Sequence, residues 1–174
     1  AQAVAEVLDA GGLLLAEAGT GTGKTLAYLL PAAELGRRVV VSTGTKNLQE
    51  QLVQKDIPIL AQALGRDLNV AVMKGRANYL CLLRFSSFAK AGSFRRLEEI
   101  PIYRAVETWA PETETGDRAE VADMPDSVDF WREVSAASEN CIGQSCSLFE
   151  SCFVTRMRQR ALEADLVVVN HHLL

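Results

Sequence analysis

Two groups of residues in this chain have the types and spacing to do chemistry. The first lies in "EAGTGTGKTLAYLLPA", residues 17–32, where Gly19, Gly21 and Gly23 lead into Lys24 and Thr25. Glycines let a backbone turn successive N–H groups inward to form an anion-binding nest. A helix starting near Lys24 adds the positive end of its dipole. Gly19, Thr20, Gly21, Thr22 and Gly23 would then cradle the phosphates of a nucleoside triphosphate. Lys24 would neutralise the β- and γ-phosphates, and the Thr25 hydroxyl would ligate Mg²⁺. One departure is visible, since Ala18 stands where the pattern begins with glycine. A glycine-rich turn that binds nothing is the bland alternative, and the Gly-Lys-Thr triplet after an apolar run argues against it.

The second group is the four cysteines. Cys141, Cys146 and Cys152 cluster in "NCIGQSCSLFESC", and 59 residues separate Cys81 from the first of them. Structural zinc sites take ligands as two close pairs, and no Cys-x-x-Cys occurs here. One remote thiolate plus a local triplet is a common iron–sulfur arrangement. Spacing alone leaves an iron–sulfur cluster, zinc and ordinary buried thiols open, with the cluster favoured. A disulfide is disfavoured. No apolar run approaches the roughly 20 residues of a membrane span, and no secretory leader is recognisable. The expected location is therefore cytoplasmic, where thiols stay reduced.

These residues need elements to position them. "LLLAEA" (13–18) reads as a buried parallel strand ahead of the glycine loop, and Lys24 to Leu35 as the helix behind it. "RVVVST" (38–43), "LNVAVMKG" (68–75) and "ADLVVVN" (164–170) read as further strands. Helices are expected over residues 1–10, 46–55, 60–64 and 153–164. Strands alternating with helices predict an α/β domain with a parallel sheet. Between residues 80 and 152 the rhythm breaks. We read this stretch as a mostly helical insertion bearing one exposed acidic loop. Residues 107–129 hold eight carboxylates against Arg118 alone, so a formal charge of −4 conceals a net +3 elsewhere. That remainder can meet phosphates. His171 and His172 are adjacent and cannot easily share a metal; one packed and one exposed histidine is the expectation.

Taken together, the chain resembles the iron–sulfur DNA helicases of superfamily 2, of the XPD and DinG type, and most of all bacterial DinG-like members. The resemblance rests on the glycine loop, on "VVVSTGTKNLQEQL" (39–52), on "KGRANYLC" (74–81), on the cysteine triplet and on "ADLVVVNHHLL". It implies a RecA-like P-loop domain, with residues 1–80 its first part, 81–152 a 4Fe–4S insertion and 153–174 the return. It implies ATP and Mg²⁺ as cofactors, with Lys24 and Thr25 catalytic, and a cluster held by Cys81, Cys141, Cys146 and Cys152. The implied activity is ATP-driven 5′-to-3′ unwinding of duplex DNA from a single-stranded tail, in repair or replication. Its partners would be single-stranded DNA and tailed duplex, with no membrane.

Thr43, Thr45 and Lys46 suit sequence-independent phosphate contacts, although strand-end and helix-capping chemistry accounts for them equally simply. Arg156 and Arg160 lie one helical turn apart, on either a DNA-facing edge or a solvated face. Arg76 and Tyr79 are weaker candidates of the same kind. Both chain ends read as cut, so the sequence is expected to be a piece of a longer protein, inactive alone because the Walker B box lies beyond it. A zinc-stapled nucleic-acid-binding module with a P-loop switch is the alternative. A P-loop kinase or transferase lacks any visible acceptor site.

Overall fold

The computed structural model describes residues 1–19, 21–137, 139 and 141–173. The chain divides into two compact units, one made of residues 1–73 and 160–174, the other of residues 74–159.

In the first unit, α1 (Gln2–Ala10) stops at Gly11, whose φ of +78° is open to glycine without strain. After α2 (Lys24–Glu34) comes β1 (Val39–Thr43). A continuous helical run follows: α3 (Lys46–Gln51), one π-helical turn (Leu52–Asp56) and α4 (Ile57–Leu64). The separate helices expected at 46–55 and 60–64 are thus one rod with a wide turn in it. β2 (Val70–Met73) and β3 (Leu166–Asn170) complete a parallel sheet of order β1-β3-β2.

β3 is the middle strand, and its residues Leu166 to Val169 are all buried. Side chains alternate across a strand, which explains the two cores. Leu166 and Val168 pack with Leu29, Val41, Leu52, Ile57 and Leu60. Val167 and Val169 pack with Ala71, Ala161 and Ala164. An all-apolar strand is what a sheet covered on both faces requires.

The strand expected at Leu13–Ala18 does not form. Residues 11–19 carry no regular structure, and Leu13 and Leu15 are almost fully exposed, at 94% and 96%. The reason is local. β1 and β3 are built from valines, whereas this run has no β-branched residue to favour extension. Both sides of β3 are already paired, and no strand among the described residues pairs with 13–18.

Gln49 ties the helical run to the sheet. Buried to 2% exposure, its Nε2 donates to the carbonyls of Met73 at 3.1 Å and Val168 at 3.3 Å. Gln49→Leu keeps the volume and removes both bonds. It should cost about 1–3 kcal/mol, read as a fall in the urea midpoint; an unchanged midpoint would mean the amide contributes nothing there.

The second unit holds α5 (Leu82–Ala91), α6 (Glu99–Trp109), α7 (Asp129–Val134) and the start of α8 (Phe153–Glu163), whose residues from Arg160 onward count with the first unit. Phe88, Phe94, Tyr103 and Phe130 form its aromatic core, with ring centroids 5.2–6.1 Å apart. The acidic stretch is more tightly held than a solvated loop. Asp117 pairs with Lys74 at 2.5 Å, and Glu107 with Arg104 at 2.6 Å. Glu120 accepts from Trp109 Nε1 at 3.0 Å, Thr113 Oγ1 at 2.6 Å, and Thr115 Oγ1. Burial alone would raise the Glu120 carboxyl. Those hydrogen bonds, with Lys74 nearby, outweigh it and hold the group below the usual carboxylate range.

Gly116 closes that loop with a left-handed φ of +67°, and a Cβ there would overlap the ring of Phe153. Among the described residues no helix is long and apolar enough to cross a membrane.

Candidate functional site

The glycine loop is shaped by its own backbone. Gly21 and Gly23 sit at φ +76° and +78°, a region that side chains other than glycine rarely adopt. Gly23 caps α2, so the helix begins at Lys24. Thr22 Oγ1 donates to the Gly19 carbonyl at 2.8 Å, and Lys24 Nζ donates to the same carbonyl at 2.8 Å and to that of Ala18. The lysine thus folds back over the loop it follows, and the loop from Gly21 to Lys24 is exposed.

The first N–H groups of an α-helix have no partner within it. They and the ammonium suit a polyphosphate. Thr25 lies in the first turn, with Tyr28 one turn on. Burial pushes the Tyr28 hydroxyl up, opposed by a hydrogen bond with the Thr25 side chain. Thr20 lies outside the described residues.

At the carboxyl end of β1, Thr43 is buried and its hydroxyl donates to the carbonyls of Thr45 and Val169, each at 3.3 Å. Thr45 caps α3, accepting from Leu48 N at 3.2 Å. Lys46 opens α3; its side chain lies outside the described residues. His171 and His172 directly follow β3 and are both exposed, contrary to the expected packed-and-exposed pair. Arg160 is exposed on α8 in this unit.

In the second unit, Tyr79 is 3% exposed and accepts from Lys74 N at 3.1 Å. Burial pushes its hydroxyl up to about 12, so it stays protonated. Arg156 is exposed on α8.

All four cysteines belong to this second unit, and all are free thiols. Cys81 precedes α5, with its N–H donating to the Val134 carbonyl at 2.8 Å. Cys141 is exposed; Cys146 and Cys152 are half-buried. The Cys141 thiol is lowered, chiefly by the Gly143 backbone N–H. Its slight burial opposes this, and a hydrogen bond from Arg76 with the charges of Arg76 and Arg158 reinforces it. That environment favours the thiolate a metal requires. Four free thiols in one unit, one of them biased toward the anion, fit a thiolate-bound metal chemically. Among the described residues, however, no three His, Cys, Asp or Glu are gathered to hold a metal ion. The ligand set is present but not assembled.

Two contacts had no forewarning in the sequence. Lys74 pairs with Asp117, and Ser42 Oγ hydrogen-bonds His171 Nδ1 across 129 positions. Neither has a periodic or motif signature, since each joins segments far apart in the chain.

Residues 1–80 match the DEAD/DEAH box helicase family. The chain is 41% identical over 173 residues to ATP-dependent DNA helicase YoaA of Escherichia coli, covering 99% of this chain and 27% of that protein. It is 39% identical over 197 aligned positions to ATP-dependent helicase DinG of Mycobacterium tuberculosis, covering all of this chain and 29% of that one. A third relative, named 3′-5′ exonuclease DinG, from Bacillus subtilis, is 35% identical over 170 residues, covering 92% of this chain and 17% of its own length. The chain thus spans less than a third of the length of each of these relatives.

Proposed function

Because this chain is a DinG-type sequence of the DEAD/DEAH box helicases, we propose that it is the nucleotide-gripping part of a motor that spends ATP to unwind DNA. The observation that carries this reading is the glycine loop. Its two left-handed glycines, its helix N-terminus and its lysine lie together in one exposed loop, a set suited to a triphosphate bound with Mg²⁺. Lys24 neutralises phosphate charge there and the Thr25 hydroxyl ligates the Mg²⁺. Residues 1–80 and 153–174 serve the motor, and residues 81–152 form the cysteine-bearing insertion. The protein works in the cytoplasm on single-stranded DNA and on duplex with a single-stranded tail, in the 5′-to-3′ direction. Thr45, Lys46, Arg76, Arg156 and Arg160 contribute contacts to the strand backbone, while the hydroxyls of Thr43 and Tyr79 serve the fold around them.

Cys81, Cys141, Cys146 and Cys152 would hold a 4Fe–4S cluster, which supplies four metal–thiolate bonds joining the start of α5 to the 141–152 segment. The guanidiniums of Arg76 and Arg158 offset the negative charge that those thiolates bring.

The test uses the full-length protein purified anaerobically. Iron should reach about four per chain, with broad visible absorption, and any one Cys→Ser change should lower it. Stoichiometric zinc without iron would replace the cluster with the zinc-stapled alternative. A 5′-tailed duplex should be unwound and a 3′-tailed one left intact; the reverse preference would overturn the direction.

A further inference from the structure

β1 and β3 are neighbours in the sheet, and their last residues, Thr43 and Asn170, face each other in register. Open parallel sheets bind ligands just beyond the carboxyl ends of their strands. The turn Ser42–Thr45 leaves β1 at this edge, and His171 leaves β3 beside it. Three ties hold the turn. From within, the Thr43 hydroxyl donates to the carbonyls of Thr45 and Val169. From ahead, Thr45 caps α3. From the side, His171 Nδ1 is hydrogen-bonded to Ser42 Oγ. The same imidazole covers Gly44, where a Cβ would meet its Cδ2 at 3.6 Å and its Nε2 at 3.8 Å. The backbone turn that carries His171 is itself tied, because the Asn170 side chain accepts from His172 N at 3.1 Å.

We propose that His171 is a positioning residue that locks the Ser42–Thr45 turn at the carboxyl edge of the sheet, and so sets how firmly that turn grips a nucleic-acid strand. The inference rests on the helicase reading above. It separates from a purely structural role because His171 is exposed and lies outside both cores. Removing an exposed ring costs the fold little, whereas freeing the turn costs the strand a preorganised contact. The ring nitrogen accepts the Ser42 proton or donates its own to Ser42 Oγ, according to the tautomer.

The test measures binding of fluorescein-labelled oligodeoxythymidine by anisotropy, together with kcat and the KM for ATP, in the full-length protein. His171→Leu and Ser42→Ala should each weaken DNA binding about fivefold. The double variant should bind no worse than either single one, the signature of one shared interaction. His171→Asn, whose amide oxygen can stand in for Nδ1, should bind as the parent does. The KM for ATP should stay within about twofold in all of them. Parental affinity in His171→Leu, additive losses in the double variant, or His171→Asn as weak as His171→Leu would each overturn the proposal. Failure of the parent itself to bind the oligonucleotide would overturn the helicase reading as well.

Discussion

Lys24→Ala in the full-length protein should abolish the ATP-driven unwinding proposed above and leave the fold intact. The ammonium sits on an exposed loop, where its partners are the carbonyls of Ala18 and Gly19. Neither core contains Lys24, and Thr22 still ties the loop to Gly19 after the change. Stability is therefore expected to stay within about 0.5 kcal/mol. Turnover is different. Phosphoryl transfer is catalysed by stabilising charge that spreads over the γ-phosphoryl oxygens, and on the proposed reading this lysine is the cation that the loop brings to them. Deleting a single preorganised charge-stabilising group costs about 10²- to 10³-fold in rate. ATPase and unwinding assays, with urea unfolding as the control for folding, decide the matter. Unwinding at the parental rate would refute the motor assignment.

Gly116→Ala should be strongly destabilising in the second unit. Two costs combine at this position. A left-handed φ costs an ordinary residue about 1–2 kcal/mol, and forcing a methyl group into a packed site costs about 1–3 kcal/mol more. Phe153, whose ring the new Cβ would overlap, is itself buried at the start of α8 and has little freedom to retreat. The expected loss is about 2–5 kcal/mol, read from urea or thermal unfolding. Gly65→Ala is the informative comparison. It has a similar φ of +64° but open space around it, so it should show the conformational cost alone. Equal losses at the two positions would mean that Phe153 yields freely and that the overlap carries no energy.

The sequence foretold some parts of this structure better than others, and the difference is physical. Strand β3 was legible because burial on both faces leaves a run, Leu166 to Val169, with no polar residue in it, and β1 because three valines open it. The helix after the glycine loop was legible because the loop's residues need a helix N-terminus behind them. "LLLAEA" misled, since an apolar run states a wish to be buried and says nothing about which strand will pair with it. The acidic stretch misled in the opposite sense. Its carboxylates read as solvated charge, yet Asp117 and Glu120 are held by Lys74, Trp109 and two threonines, partners that a count of charges cannot show. Among the site residues, the glycine loop was fully visible as a motif. The cysteines were visible as a set, but spacing could not say whether the fold gathers them. The hydroxyls of Thr43 and Thr45 read as either phosphate contacts or strand-end and capping groups, and the structure shows backbone groups engaging both.

The strand order has a consequence for how the protein comes into being. Among the described residues β1 and β2 do not pair with each other; each pairs with β3, which sits between them. Yet β3 is the last of the three to leave the ribosome, after the whole of residues 74–165. At cellular elongation rates that interval lasts roughly five to twenty seconds. Throughout it, two apolar strands wait without the neighbour that satisfies their backbones, and unpaired edges of this kind recruit other chains. The second unit, whose contacts are complete once residue 159 has emerged, has its partners in hand before the sheet does. Closing the sheet then means bringing β3 back across that interval to strands made long before, a non-local step of the kind that slows folding. A nascent chain that stalls before Val169 therefore presents its most aggregation-prone surface, and this stretch of translation is where a chaperone has the most to protect.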